Sequence, residues 1–400
     1  MYLFNQLRRH VLLGALSVAT ASLLPGVASA QQGPGVTDKE IKIGSWTTLT
    51  GPIAVYGIPH RAGMEAYFNL VNDRGGIKGR KFNLIVEDNG FSSPRTVTAA
   101  RKLVGSDNVL AIVHPLGTPQ IAATFDYLLG EMKVPILVPQ GSLTEWWTPP
   151  RENLYGALVA FESHARVMGR WLAKDGHKNV VVVHSALAAF ESVAKDVPVG
   201  ARTVRGDITM QLYPTKFGTT DYGPIALEIA SKKPDAVVAI LTSPETIALS
   251  KELRQQGSRT ALYSYGPAVQ VSFPELGGAA VEGLKAVSTV VPPATDTPAV
   301  REYREALAKY SPNEKPDYGS LFSFANAKIF AEVVRRIDGP INRAALIQSM
   351  HTLRDFETGI LPPVTFSATR HLGTTSLQRV EVKGGKWIAV GGFVDAESNW

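Results

Sequence analysis

The sequence predicts an α/β protein made of two tandem units, each a parallel sheet with helices on both faces. Apolar runs of strand length alternate with segments of helical period through nearly all of the 400 residues, and this βαβα order is typical of parallel sheets. The chain beyond residue 30 is longer than a single hydrophobic core usually supports. Gly/Pro-rich loops follow predicted strands and open helices, which is where such sheets hold small ligands.

The first unit covers residues 40–138. A Gly/Pro-rich loop, LTGPIAVYG, separates its first strand from its first helix. That helix places Met64, Phe68 and Val71 on one face, at the spacing of a core-facing helix, and Gly75-Gly76 ends it as a left-handed cap. The predicted strands are 40–46, 81–87, 109–113 and 134–138, and the predicted helices are 61–74, 94–104 and 120–132.

The second unit repeats this pattern, and the tail adds helices and a hairpin. Its predicted strands are 179–184, 206–213, 236–241 and 261–265, and its predicted helices are 165–174, 190–195, 222–231 and 244–256. Helices 299–310 and 323–337 need an existing sheet to cover, and strands 375–382 and 387–393 form a hairpin through Gly384-Gly385. We therefore expect two discontinuous lobes, 38–158 plus 286–345 and 159–285 plus 346–400, joined by a hinge with a cleft between them.

The first thirty residues predict a cleavable signal peptide. Arg8 and Arg9 form a basic start, an apolar run follows, and Ala28-Ser29-Ala30 is a small-residue cleavage site. The apolar run is shorter than the about 20 residues of a membrane span. The chain has no cysteine, so no disulfide and no acylated lipoprotein anchor is possible. The sequence thus predicts export to the periplasm without a lipid anchor.

Several kinds of function are not expected. The chain has no GxGxxG after a strand, no GxxxxGK[ST], no HExxH and no GxSxG. Its histidines show no ligand spacing, so we expect no metal, no cofactor and no catalytic residues. The formal net charge is +6, of which Arg8 and Arg9 carry two, and no basic block occurs. Nucleic acid is therefore not an expected partner.

The motifs together resemble the periplasmic leucine/isoleucine/valine-binding protein family, the type I solute-binding components of ABC importers. They include LTGPIAVYG, GGIKGRKFNLIVEDN, AIVHPLGTP, PILVPQGS, KPDAVVAILTSPET, SYGPAV and the terminal VEVKGGKWIAV. The resemblance extends over nearly all of residues 40–395. It implies two Rossmann-like lobes with a three-strand hinge that close on one small ligand.

The resemblance also implies a first-lobe site. Family members grip the ligand carboxylate there with backbone amides and hydroxyls at strand ends, and the matching loops are Leu116-Gly117-Thr118 and Gln140-Gly141-Ser142. Both loops follow apolar strands and open predicted helices, so they suit anions on chemical grounds as well. Thr118 and Ser142 would alternatively be helix N-caps. Tyr56 lies where the family has an aromatic over the ligand, although it would also fit a core position.

Second-lobe candidates follow from the same resemblance. Phe190 lies near the family's aromatic lid, and Thr242 follows a comparable strand end. Glu162 lies close to the crossing between lobes and could face the cleft, or it could only complement a helix N-terminus. Trp146-Trp147 either packs in a loop or lines the cleft.

One departure from the family pattern bears on the ligand. Amino-acid binders place an acid after the strand–loop that matches SYGPAV, where it receives the ligand ammonium, and this chain has Ala268 there. Losing one partner of a buried charge pair costs roughly 2–5 kcal/mol, a large part of the about 8 kcal/mol of a micromolar binder. Either another acid, Glu162 or Glu245, takes this role, or the ligand carries no ammonium.

The sequence therefore predicts a non-enzymatic, monomeric periplasmic receptor. It would capture a small carboxylate-bearing solute, an amino acid, aromatic acid or related compound, by lobe closure and deliver it to the permease and ATPase subunits of an ABC importer. A sensor of the same fold that feeds a signalling partner is the alternative. An exported α/β enzyme is a third hypothesis, but it would need a nucleophile–base pair or a metal site.

Overall fold

The computed structural model of the protein describes residues 32–398. The predicted signal peptide, 1–30, lies outside the described residues. Two sheets organise the chain. The first has the order β2-β1-β3-β4-β5 and is entirely parallel. Its strands are β1 (Glu40–Thr47), β2 (Lys81–Asp88), β3 (Ile112–Val113), β4 (Ile136–Leu137) and β5 (Leu154–Tyr155).

The second sheet has seven strands in the order β12-β11-β10-β9-β8-β6-β7. It is parallel from β7 to β10, and the terminal hairpin β11–β12 extends it in antiparallel fashion. Its strands are β6 (Asn179–Ser185), β7 (Thr209–Thr215), β8 (Ala236–Ile240), β9 (Ala261–Ser264), β10 (Lys285–Ser288), β11 (Ser376–Lys383) and β12 (Lys386–Asp395). All five residues of β8 are buried, as expected for a central parallel strand.

Helices cover both sheets. They are α1 (Ala54–Asp73), α2 (Ser93–Gly105), α3 (Thr118–Ala122), α4 (Phe161–Lys174), α5 (Ala188–Arg202), α6 (Gly223–Lys232), α7 (Ser243–Gln255), α8 (Ser272–Gly277), α9 (Pro298–Tyr310), α10 (Tyr318–Arg335) and α11 (Arg343–Met350). The predicted fold class, two α/β lobes of parallel strands, is confirmed. None of the helices in residues 32–398 has the length and apolarity that a membrane span requires.

The chain crosses between the lobes three times, after β5, after β10 and after α11. Between the last two crossings it returns to the first lobe, where α9 and α10 pack on α1. Phe324 lies 4.9 Å from the Tyr67 ring and 5.5 Å from the Tyr303 ring, centroid to centroid. Of the predicted domain limits, 285/286 falls within β10 and 345/346 within α11. The division into two discontinuous domains itself stays a prediction.

Three helices differ from the sequence prediction in ways that bear on the cleft. Helix α1 begins at Ala54, seven residues early, and continues through Pro59. It does so where Gly57 packs on the backbone of Thr48, so closely that a Cβ would lie 1.8 Å from the Thr48 carbonyl oxygen. The predicted helix 120–132 is instead the short α3 followed by a π-helical turn, Asp126–Glu131. Helix α10 starts five residues early because Asp317 caps it through the Gly319 amide.

Candidate functional site

A cavity of about 160 Å³ lies between the two lobes. Strand ends of both sheets, the first turns of α1, α4, α5 and α10, and the crossing segments enclose it. The residues that line it are Ile53, Tyr56, Pro59, Phe91, Leu116, Gly117, Thr118, Pro119, Gln140, Leu158, Phe161, His164, Ala189, Phe190, Val193, Thr242, Tyr265, Gly266, Pro267, Val269, Gln270, Ser288, Thr289, Val290, Tyr318, Gly319 and Phe322. The wall is mostly apolar, and Asp, Glu, Lys and Arg are absent from this lining.

Contacts between the lobes lie beside the cavity. The amide of Ser243, at the start of α7, donates to Tyr56 Oη of α1 over 2.6 Å. The ring of Phe91 stacks on that of Phe217 with centroids 5.9 Å apart and an interplanar angle of 19°. Removal of the phenol from water raises the pKa of Tyr56 to about 12. Tyr56 is therefore a neutral hydrogen-bonding group that joins the lobes as well as a wall of the cavity.

The loop Leu116-Gly117-Thr118 lines the cavity with all three of its residues. Gly117 has a φ of 107°, a conformation that favours glycine, and a Cβ there would lie 2.4 Å from Gln120 Oε1. Its amide donates to the Gln140 carbonyl over 3.1 Å. The loop is thus held against its neighbour while Thr118 faces the ligand space at the start of α3.

The loop Gln140-Gly141-Ser142 contributes only Gln140 to the lining. Ser142 is fully buried, and its Oγ accepts a hydrogen bond from Trp147 Nε1 over 2.8 Å. Trp147 is itself 8% exposed and packs on Gly156, where a Cβ would lie 2.5 Å from the indole. The expected helix after this loop is a single 3-10 turn, Thr144–Trp146. Gly141 and Ser142 therefore face the protein interior rather than the cavity.

The two adjacent tryptophans belong to the core of the first lobe. Trp146 is fully buried and meets Phe125 edge-on at 5.1 Å between ring centroids. Neither Trp146 nor Trp147 lines the cavity. The sequence allowed the two tryptophans either to pack in a loop or to line the cleft, and in the structure they pack in the loop.

In the second lobe, Phe190 and Thr242 line the cavity as expected. Phe190 lies at the start of α5 and meets the ring of Tyr265 at 6.4 Å and 71°. Thr242 caps α7, where its Oγ1 donates to Glu245 Oε2 over 2.7 Å. Ala268 is fully buried in a 3-10 turn and does not line the cavity, although Pro267 and Val269 on either side of it do.

Neither candidate acid reaches the cavity. Glu162 is buried, and its carboxylate accepts from the Thr144 amide and from Ser192 Oγ, each over 3.1 Å. Burial raises the pKa of Glu162 above its ordinary value. Glu245 accepts from the amides of Gly218 and Thr242 over 2.9 and 3.0 Å. Both carboxylates are committed to internal hydrogen bonds, so neither takes the role of an acid at the position of Ala268.

Sequence reasoning missed several lining residues. Phe161, Tyr265 and Tyr318 are aromatic, and each stands at a helix start or a strand end. That placement is itself a signal, because parallel α/β sheets hold ligands at the carboxyl ends of their strands. His164, in the first turn of α4, and Gln270, after the turn that follows β9, also line the cavity.

The ionisable groups near the site are few. Within residues 32–398, no cluster of three His, Asp or Glu side chains is placed to hold a metal ion. Of the lining residues, only His164 titrates near neutral pH in its ordinary state, and burial lowers its pKa to about 3. The two lobes and the mostly apolar cavity between them are those of a two-lobed binding protein for a small ligand.

Comparisons with known proteins identify the family. Residues 40–386 match the periplasmic binding protein family, and the chain belongs to it. The Leu/Ile/Val-binding protein homolog 3 of Brucella melitensis is 26% identical over 377 residues, which cover 94% of this chain and 98% of that protein. Membership in this family confirms that the chain is a binding protein and not an enzyme.

Solved structures share the fold. A fatty acid ABC transporter substrate-binding protein from Thermomonospora curvata superposes with a TM-score of 0.82 at 23% identity, covering 92% of this chain and 95% of that one. A solute-binding protein of an ABC transporter from R. palustris, in complex with benzoate, has a TM-score of 0.77 at 19% identity and covers 90% and 98%. The same two-lobed architecture thus serves proteins named for different solutes.

Proposed function

We propose that the protein is the periplasmic solute-binding component of an ABC importer and that it captures a small carboxylate-bearing solute between its lobes. The observation that carries this proposal is the cavity of about 160 Å³ that both lobes line, with a hydrogen bond between the lobes beside it. A cleft of this kind takes up and releases its ligand as the lobes close and open. Membership in the periplasmic binding protein family supports the same role.

The ligand contacts that we propose are the predicted residues that line the cavity. Leu116, Gly117, Thr118 and Gln140 form one wall of the cavity. The amides of Leu116, Gly117 and Gln140 already donate to backbone carbonyls, so the Thr118 hydroxyl is the donor that we propose for a carboxylate. Tyr56, Phe190 and Thr242 face it from α1 and the second lobe. Gly141, Ser142, Glu162 and Ala268 support these residues from behind and are not proposed as direct contacts.

The route of the solute follows from this role. The signal peptide would direct the chain to the periplasm, where a monomer would deliver its ligand to the permease and ATPase subunits of the cognate importer. Closure buries the ligand and changes the outer surface that a permease can recognise. Relatives whose names carry ABC transporter and Leu/Ile/Val-binding functions support this proposal.

Native mass spectrometry of the protein purified without its signal peptide, followed by a thermal-shift screen, tests the proposal. We expect a co-purified small carboxylate, or a carboxylate in the screen that raises the melting temperature. A ligand at 100 times its Kd stabilises the protein by about 2.7 kcal/mol, which is easily measured. Chemical conversion of the bound compound by the purified protein would contradict the proposal, as would the absence of any stabilising small molecule across amino acids, aromatic acids, dicarboxylates and amides.

A further inference from the structure

We infer that Asp317 is a positioning residue for solute capture, because its carboxylate binds the amide of Val271 across the cleft and holds the two lobes in the closed form. Asp317 does not line the cavity, so it would act on affinity without touching the solute. This role goes beyond the proposed function, since it concerns the closure of the lobes and applies to whichever solute the cavity takes.

The carboxylate of Asp317 has one oxygen for each lobe. Oδ1 accepts from the amide of Gly319 over 2.7 Å and caps α10 of the first lobe. Oδ2 accepts from the amide of Val271 over 2.7 Å, and Val271 belongs to the second lobe, between β9 and α8. One side chain therefore joins a helix start of the first lobe to a loop of the second.

Asp317 is held firmly within the first lobe. Its own amide donates to Tyr303 Oη of α9 over 3.0 Å. The helix that it caps, α10, packs closely on α1: a Cβ on Gly63 would lie 2.1 Å from the carbonyl oxygen of Ser320. The position of the carboxylate is therefore set by the first lobe and not by the second.

The segment that carries Val271 is held within the second lobe. The carbonyl of Gln270, the preceding residue, accepts from Trp387 Nε1 of β12 over 2.9 Å. The Trp387 ring stacks on that of Phe273, with centroids 5.5 Å apart and an interplanar angle of 28°. The hydrogen bond between Asp317 and Val271 thus connects two parts that are each anchored in a different lobe.

This hydrogen bond lies between two parts of the cavity wall. Residues 269–270, directly before Val271, line the cavity from the second lobe, and residues 318–319, directly after Asp317, line it from the first. Because the bond joins the neighbours of both pairs, it fixes the spacing between these two parts of the wall. Its loss would let them move apart around a bound solute.

The charge of the acceptor makes the bond a strong one. Burial raises the pKa of Asp317, while the amides of Val271, Gly319 and Tyr318 favour its ionised form. Hydrogen bonds to an ionised acceptor are roughly twice as strong as those between neutral groups. The bond from the Ser243 amide to the neutral Tyr56 Oη also joins the lobes, and we expect the bond to Asp317 to contribute more.

The bond contributes to affinity because it exists only in the closed form. When the lobes are apart, water solvates both the carboxylate and the Val271 amide. A contact made in one of two states shifts the population toward that state, and a solute that binds the closed form gains affinity from this shift.

The substitution Asp317→Asn tests this role. Asparagine is a good N-cap, so its oxygen should stay with the Gly319 amide, while its side-chain nitrogen cannot accept from Val271. We expect the carboxylate identified in the thermal-shift screen to dissociate about tenfold faster, with a nearly unchanged association rate, which is about 1.4 kcal/mol of affinity. An unaltered dissociation rate in stopped-flow measurements would overturn the inference.

Amide hydrogen exchange, followed by NMR on the protein as purified, tests the bond without an added solute. The Val271 amide should exchange about tenfold faster in Asp317→Asn than in the unmodified protein. The Gly319 amide is the internal control, because its acceptor is retained and its exchange should change little. Equal exchange of the Val271 amide in both proteins would contradict the role of Asp317.

Asp235→Asn is the matched control. The Asp235 carboxylate also accepts from two backbone amides, those of Lys178 and Asn179, over 2.8 and 2.9 Å. All three residues belong to the second lobe and lie where β6 and β8 begin, whereas the cavity follows the strand ends. The control should therefore leave the dissociation rate unchanged, and an equal increase in both variants would show that Asp317 has no special role.

Val271→Pro tests the same bond from the other lobe, which matters if Asp317→Asn does not fold. Proline has no amide hydrogen, and the φ of −62° at Val271 suits it. We expect the same increase in dissociation rate, and an unchanged rate would overturn the inference. A screen that yields no solute would count against the proposed function instead, while rapid exchange of the Val271 amide in the unmodified protein would still refute the role of Asp317.

Discussion

The loops Leu116–Gly117–Thr118 and Gln140–Gly141–Ser142 look alike in sequence and differ in the folded protein. Each follows a buried parallel strand, β3 or β4, and each presents a glycine followed by a hydroxyl residue. They also pair with each other through Leu116 and Gln140. Yet the first loop lines the cavity throughout, whereas the second turns inward after Gln140.

Trp147 accounts for the difference. Its indole N–H donates to Ser142 Oγ, so this hydroxyl already has a partner before any ligand arrives. The Ser142 carbonyl accepts from the amide of Phe161, the first residue of α4, over 3.1 Å. The loop Gln140–Gly141–Ser142 consequently connects the first lobe to α4, and we call this connection the joint. The loop Leu116–Gly117–Thr118 instead lines the cavity. The strand-end pattern predicts where a loop lies, but the partner of its hydroxyl decides what the loop does.

The substitution Trp147→Ala should break the joint and have the largest effect. Removing a buried tryptophan side chain typically costs 3–5 kcal/mol of unfolding free energy, and Trp147 is only 8% exposed. The free energy of unfolding, measured by urea denaturation, should fall by about that amount. Trp147→Phe serves as the control, since it keeps an aromatic ring while it removes the N–H and part of the indole, and it should lose less stability than Trp147→Ala. A loss below about 1 kcal/mol in Trp147→Ala would show that the joint does not depend on Trp147.

Lowering the pH should weaken the strand ends that carry the two loops. His114 directly follows β3 and Val138 directly follows β4. His114 Nδ1 lies 2.6 Å from the carbonyl oxygen of Val138. Burial lowers the pKa of His114 to about 4 and that of His164 to about 3, against about 6.5 in the unfolded chain. Below pH 6.5 the unfolded state therefore binds more protons, and stability falls as the pH decreases toward these folded values.

The same linkage between protonation and folding gives the expected loss of unfolding free energy. Between pH 7 and pH 5 the two histidines together should remove about 4 kcal/mol of unfolding free energy, measurable as a lower urea midpoint. Burial also lowers the pKa of His60, whose ring stacks on that of His114 at 4.5 Å, so His60 adds to this loss. His114→Asn should remove about 2 kcal/mol of the pH dependence. Asparagine suits the site because His114 has a φ of 51°, a conformation that asparagine tolerates. A pH dependence that is the same in His114→Asn and in the unmodified protein would exclude His114 as its source.

Much of the fold could be predicted because its signals are local. The strands beginning at Glu40, Lys81 and Asn179 and the terminal hairpin follow from apolar alternation and Gly turns. Helix boundaries were less accurate where tertiary contacts decide them. Helix α1 starts at Ala54 and continues through Pro59, and its first turn packs on Thr48 through Gly57, a long-range contact that no local pattern reports.

The part of the candidate site that lies at strand ends could be predicted from the sequence. Leu116, Gly117, Thr118, Gln140 and Thr242 all follow strands of the two sheets and line the cavity. Ser142 and Glu162 were reasonable candidates by residue type and position. In the folded protein, however, Ser142 accepts a hydrogen bond from Trp147 and Glu162 accepts one from Ser192, and neither residue lines the cavity. His164 was not predicted as a lining residue, because the histidines of the sequence show no ligand spacing and its contact with Gly266 is a long-range one.

Matched substitutions of the two hydroxyls compare the loops directly. Thr118→Val should weaken binding of the carboxylate identified in the thermal-shift screen by about tenfold, since a hydrogen bond to a charged group contributes roughly 1.5–3 kcal/mol, while unfolding free energy changes little. Ser142→Ala should do the reverse. It leaves the buried Trp147 N–H without an acceptor, a cost of about 1–3 kcal/mol in stability, and leaves affinity within about twofold. Calorimetric titration and urea denaturation of both variants measure the two effects, and a Ser142→Ala variant with the binding defect would reverse the assignment of the loops.

The smallest expected effect concerns the hydrogen bond between Tyr56 and Ser243, which joins the two lobes beside the cavity. Tyr56 Oη accepts the Ser243 amide only when the lobes meet, so Tyr56→Phe removes a hydrogen bond of the closed state and leaves the ring in place. One such bond contributes about 1 kcal/mol, which predicts roughly fivefold weaker affinity. Because the lost contact belongs to the closed form, the change should lie in a faster dissociation rate by stopped-flow, with the association rate nearly unchanged. An unaltered dissociation rate would mean that the Phe91–Phe217 stack suffices to hold the lobes together.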